Sequence, residues 1–248
     1  MVTYAYTLSS AGLMFESAFF SIQTLRRFVD SDDIVVFFTP PRNDGHVEAL
    51  EALGVDLRLV ENVTDAFVAF DDPQHYGEKT WISTLDDDTV VFLDCDTLVF
   101  DDVRDVVRGD FEFKARQDTS QVRQPAWREL FERFDEPYLD WMPNAGFLVF
   151  KRGLHRRIGD KWREYIQTEL DYRHEVNHKE QYALALAVGG AETVQMTPDE
   201  HAMAWSGEFP PDSVVCHIGK LFEQEYTAPD TFKGNIAVGL RKLVQGKI

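Results

Sequence analysis

Along the first hundred positions, short apolar runs alternate with helical patterns and polar turns. Residues 2–8 (Val-Thr-Tyr-Ala-Tyr-Thr-Leu) read as a buried strand. Ser9 or Ser10 then stands where a helix cap is expected, before a helix reaching about Val29. Met14, Ala18, Ile22, Leu25 and Phe28 or Val29 recur on one helical face. A second strand over 34–39 stops at Pro40-Pro41. A short helix near 47–53 closes at Gly54, and a third strand follows near 55–60. A helix near 79–85 leads into the run 89–100, whose buried strand ends in Asp94 and Asp96. Strands alternating with helices predict a doubly wound, mostly parallel α/β sheet.

Beyond Phe100 the rhythm changes. The pattern predicts a strand over 111–115, a helix over 126–134 and an apolar strand over 146–150. Helices follow over 154–170 and 178–188, then a short strand over 213–216. No linker or repeat divides the chain, so one domain is expected over 1–248. Within it, the regular alternation covers 1–98, the mixed part 99–225 and an expected helical tail 226–248.

The run 89–100 carries the first chemistry, because its apolar residues give way to Asp94-Cys95-Asp96. Alternation along a strand places Asp94 and Asp96 on one side and Cys95 on the other. Ligands of open α/β sheets bind at the carboxyl ends of the strands. Two adjacent carboxylates there call for a cation, and hard oxygen donors suit Mg2+ or Mn2+. His217, just after the predicted strand 213–216, is placed to complete such a site, and an imidazole shifts the choice towards Mn2+. Gly219-Lys220 follows, a permissive backbone and then a cation suited to phosphate. Asn144-Ala145-Gly146 opens a buried strand with an amide for a hydroxylated ligand and a glycine that leaves it room. Glu180-Gln181 stands at a helix start, where both groups can hold sugar hydroxyls.

Charge changes the picture further. There are 43 acidic and 25 basic residues, a net charge of −18. That balance argues against a nucleic-acid partner and resembles the surfaces of proteins from salt-loving archaea, whose cytosol screens the self-repulsion. The two cysteines give no disulfide framework. With no signal-like start and no membrane-length apolar run, the expected location is cytoplasmic.

Taken in order, these motifs resemble the retaining glycosyltransferases of family 8, the glycogenin and bacterial galactosyltransferase type with a GT-A fold. Tyr6-Thr7-Leu8 resembles that family's nucleoside-contacting strand edge, and Lys79-Thr80-Trp81 with the Asp94/Asp96 strand resembles its donor-binding helix and Asp-x-Asp. Asn144-Ala145-Gly146 is similar to its donor-sugar motif, Glu180-Gln181 to its Asp-Gln pair, and His217-Ile218-Gly219-Lys220 to a shortened His-Gly-Lys signature. The resemblance implies a nucleotide-binding half over 1–98, a sugar and acceptor half over 99–225, and Mn2+ or Mg2+ on Asp94, Asp96 and His217. It implies donor contacts from Tyr6, Thr7, Leu8, Lys79, Asp94, Cys95, Asp118, Ala145, Gly146, Gly219 and Lys220. Gln181, Glu180 and Asn144 are the implied catalytic groups. The donor would be a nucleotide sugar, UDP-linked in first expectation, and the acceptor hydroxyl would belong to a glycan, a lipid-linked sugar or a protein.

A protein that binds a nucleotide sugar without turning it over is the alternative of a different class. A haloacid dehalogenase phosphatase fits less well, since its Asp-x-Asp strand stands near the chain start and is followed by Thr or Val where this chain has Leu98. From Thr231 onward the chain is basic and amphipathic, with Lys233, Arg241, Lys242 and Lys247 and no acidic residue. Such a tail is suited to peripheral contact with an anionic membrane, or to packing on its own domain or a second copy in a homodimer.

Overall fold

A computed structural model describes residues 1–63, 75–120, 122–168, 179–206, 210 and 212–219. The alternating apolar runs form β1 (Val2–Leu8), β2 (Ile34–Phe38), β3 (Asp56–Leu59) and β4 (Thr89–Leu93). They are joined by α1 (Met14–Leu25), α2 (Asp44–Glu51) and a 3-10 segment, His75–Thr84. Next come β5 (Thr97–Val99), β6 (Phe113–Gln117), α3 (Ala126–Arg133) and β7 (Pro143–Phe150). The remaining elements are α4 (Leu154–Gln167), α5 (Lys179–Val188), β8 (Thr193–Gln195), β9 (His201–Met203) and β10 (Val215–His217).

Seven strands make the main sheet, in the order β3-β2-β1-β4-β7-β6-β8. Pairing is parallel from β3 to β4 and between β6 and β8, and antiparallel on both sides of β7. Alternate residues of these strands feed two cores. Ala5, Val35, Phe37, Val90, Phe92, Leu148 and Phe150 face a layer containing α3, α4 and α5. Tyr4, Tyr6, Val36, Phe38, Val91, Phe147 and Val149 face the layer built on α1. The doubly wound, mostly parallel sheet expected from the sequence is therefore present.

Three departures bear on the site. The strand does end at the carboxylates, β4 stopping at Leu93, but the apolar residues beyond them form a second strand, β5, in a separate three-stranded sheet ordered β5-β10-β9. Asp94, Cys95 and Asp96 are the turn between the two sheets. Neither Ser9 nor Ser10 caps α1, which begins after Leu13 without a side-chain cap. Ser9 Oγ instead accepts from the Ala11 N–H, and Ser10 Oγ accepts from the Asn43 N–H. The element expected as a helix over 79–85 is the 3-10 segment, which places Lys79 beneath the end of β4. The predicted tail helix and Lys220 lie outside the described residues. Within those residues no helix is long and apolar enough to cross a membrane.

Candidate active site

The turn after β4 is pinned from both sides. The Asp94 N–H donates to Gly146 O at 2.8 Å, extending the β4–β7 ladder, and the Ile218 N–H donates to Asp96 O at 2.8 Å, extending the β5–β10 ladder. Beneath it runs a buried chain of hydroxyls. Tyr6 Oη meets Ser21 Oγ at 3.0 Å, Ser21 meets Thr97 Oγ1 at 2.9 Å, and Thr97 Oγ1 donates to Asp94 O at 2.8 Å. Tyr6 is thus a core residue with an engaged hydroxyl, so its side chain cannot make the nucleoside contact assigned to it. The Leu8 side chain is likewise fully buried. Thr7 O accepts from Cys95 Sγ at 3.2 Å. Burial, with Asp94 and Asp96 adding to it, pushes the Cys95 thiol well above its usual range, which keeps it protonated and out of the ligand set.

One carboxylate oxygen each from Asp94 and Asp96 and one His217 nitrogen lie within 4.8 Å of one another. His217 Nε2 is 3.0 Å from Asp96 Oδ1 and 3.9 Å from Asp94 Oδ2. Burial drives the Asp96 carboxyl up, but the neighbouring imidazole, Lys79 and a backbone N–H together outweigh burial and hold it low. Burial likewise opposes the charged form of His217, yet Asp96 and Asp94 together outweigh burial and raise its pKa. Asp94 is raised, by burial first and then by Asp96, although Lys79 pulls it down.

Lys79 lies 4% exposed, with Nζ 2.9 Å from Asp94 Oδ1, 3.6 Å from Glu180 Oε1 and 3.2 Å from the carbonyl of Ala145. Burial opposes its charge, but Asp94 and Glu180 outweigh burial and keep it an ammonium. Burial raises Glu180 to about 7, against the partial offset of Lys79. Three carboxylates, from Asp94, Asp96 and Glu180, thus face one ammonium. Two carboxylate oxygens and one imidazole nitrogen converging on one point are a donor set that fits a divalent cation of the Mg2+ or Mn2+ kind.

Around this cluster stand the remaining residues singled out in the sequence. Asn144 Nδ2 donates to Asp118 Oδ2 at 3.0 Å, and Asn144 Oδ1 accepts from the Gly146 N–H at 3.0 Å and lies 3.3 Å from His217 Nδ1. Gln181 Oε1 accepts from the Ala145 N–H at 3.0 Å. That oxygen is the electron-rich end of the amide, so its engagement counts against Gln181 as a nucleophile. Gly146 has a different use from the one expected: a Cβ there would stand 2.1 Å from the His217 ring, so the missing side chain makes room for the imidazole rather than for a ligand. Gly219 has φ +59°, and a Cβ on it would press on the Trp205 ring at 2.9 Å.

Two neighbours of His217 carried no signal in the sequence. His201 stacks on it with centroids 5.7 Å apart and planes at 13°, and Trp205 meets it edge-on at 4.8 Å. Burial pushes His201 well below its usual range, so it is a neutral ring. Only the pairing of β9 with β10 brings it here, and a three-residue strand leaves no readable periodicity.

Comparison with solved structures shows the same fold over the full chain. The galactosyltransferase LgtC, solved in complex with donor and acceptor sugar analogs, matches at TM-score 0.69 and 16% identity, covering 100% of both chains. An active-site mutant of LgtC matches at TM-score 0.68 and 15% identity, over 97% of this chain and 95% of its own. The glycosyltransferase GlyE of Streptococcus pneumoniae matches at 0.62 and 14%, over 100% of this chain and 63% of its own. No protein-family model and no curated protein matches the sequence. The chain has the GT-A fold of these enzymes.

Proposed function

We propose that this protein is a glycosyltransferase of the family 8 kind, moving a sugar from a nucleotide diphosphate donor to an acceptor hydroxyl. The observation that carries the reading is the convergence of Asp94, Asp96 and His217 at the exit of β4, within a fold shared with LgtC. Those three residues would hold Mn2+ or Mg2+, whose positive charge would offset the negative charge of the departing diphosphate. A UDP-sugar is the favoured donor, and configuration would be retained.

The chain's own groups divide the remaining work. Lys79 is a buried ammonium held by Asp94 and Glu180, which makes it a fixed positive charge at the donor side. Glu180, buried and raised to about 7, supplies a carboxylate next to the sugar face. Ionised, it would stabilise positive charge developing on the anomeric carbon. Gly219 with Lys220 would meet the phosphates, while Thr7, Ala145 and Cys95 contribute backbone to the cleft. The acceptor would be a glycan, a lipid-linked sugar or a protein. The acidic composition supports a salt-rich cytosol as the working medium.

Release of free nucleotide diphosphate from UDP-, GDP- and dTDP-sugars in molar KCl, with and without Mn2+, tests the reading. One donor should be hydrolysed only with Mn2+, and Asp96→Asn should lower the rate at least ~100-fold, the scale of losing one well-placed electrostatic contact. Equal turnover by Asp96→Asn and the parent would overturn it. Binding without turnover of any donor would instead identify a nucleotide-sugar carrier.

A further inference from the structure

We infer that Asp118 and Asn144 are positioning residues for His217, acting as a relay from a buried carboxylate through an amide to the imidazole. The inference rests on the Asp94, Asp96, His217 cation site proposed above.

The amide's orientation is fixed by its neighbours. The backbone N–H of Gly146 can only donate, so the Asn144 atom 3.0 Å from it is the oxygen. The nitrogen then faces the Asp118 carboxylate, which can only accept, again at 3.0 Å. Both side chains are buried, at 5% and 7% exposure, so the amide has no solvent partner to turn towards. Asp118 is anchored in turn: its N–H donates to Met142 O and its Oδ1 accepts from the Ser120 N–H, both at 2.8 Å. The consequence reaches the imidazole. An acceptor oxygen 3.3 Å from Nδ1 requires the proton on Nδ1, which leaves the Nε2 lone pair for the ion in front of Asp96 and Asp94. Gly146 and the His201 and Trp205 rings restrict where that ring can go, so orientation and tautomer are set together.

Asp118 touches none of the three proposed ligands, which makes it the discriminating position. Mn2+ affinity, read from the free-ion EPR signal without any nucleotide, should fall about 10–100-fold in Asp118→Ala. It should fall by a similar factor in Asn144→Ala, and no further in the double variant, because both remove one relay. Asp118→Asn, which keeps one oxygen for the Asn144 amide but sets an NH2 against the Ser120 N–H, should fall between the parent and Asp118→Ala. Circular dichroism confirms that each variant is folded. Parent-like Mn2+ affinity in folded Asp118→Ala, with Asp96→Asn no longer binding, would overturn the relay and leave the cation site intact. Parent-like affinity in Asp96→Asn would overturn the cation site itself and the relay with it.

Discussion

Among the described residues Glu180 Oε2 is buried without a hydrogen-bond partner, and Lys79 Nζ stands 3.6 Å from its Oε1. Its carboxyl goes from a usual 4.5 in the unfolded chain to about 7 when folded. A raised pKa means that the folded state binds the proton more tightly. The stability linked to this group is fully present below 4.5 and lost as pH rises through about 7. Glu180→Gln is neutral at every pH. In the metal-free chain it should exceed the parent's stability at pH 8 by about 1–3 kcal/mol and lose that advantage near pH 4.5, as measured by urea unfolding. Donor hydrolysis should fall in the same variant, since a carboxylate that strains the fold is one retained for chemistry. A parent more stable than the variant at pH 8 would show that the Lys79 pairing outweighs burial. At this scale the sequence was informative about residue type and poor about role. Asp94, Asp96, His217, Asn144 and Glu180 were all legible. That Gly146 makes way for a histidine 71 positions later, and that Tyr6 is locked to Ser21, depends on tertiary contacts that no local pattern carries.

Among the elements, α4 shows how the site is supported from behind. It packs on the 3-10 segment that bears Lys79, and Gly159 allows the approach: a Cβ there would stand 2.2 Å from Ser83 Cβ. Gly159→Ala should therefore destabilise the protein by about 1–3 kcal/mol despite alanine's better helix propensity, the cost of overpacking a close contact. A thermal or urea melt reads this directly, and a stabilised variant would mean that the segment shifts freely. Long elements with clear periodicity, such as β1, β7 and α4, lie close to where the sequence places them. The three-residue strands β8 and β9 were missed. Their existence is decided by partners: β8 lies along β6, and β9 along β10. The second strand beyond the break at Asp94, β5, escaped for a related reason. Apolar residues flank the break on both sides, and only the change of sheet shows that two strands are present.

For the molecule as a whole, a net charge of −18 makes salt part of the stability. Ion pairs at the surface, such as Arg58 with Asp56 and Arg104 with Asp102, offset little of it. Raising KCl from about 0.1 M to molar concentration shortens the screening length from roughly 10 to 3 Å. The melting temperature should climb over that range, and a flat or falling curve would remove the case for a salt-adapted protein. The three proposed ligands are divided between the sheets. Asp94 hangs from the seven-stranded sheet through Gly146, whereas Asp96 is tied to the three-stranded one through Ile218 and His217 lies in its β10 strand. An ion bound by all three would be a cross-brace over a seam, fitting one relative placement of the two sheets. Its apparent affinity would be the intrinsic affinity scaled by the fraction of molecules already in that placement. Any ligand that drew the sheets into it would tighten the ion's grip, and the ion would return the same factor to that ligand.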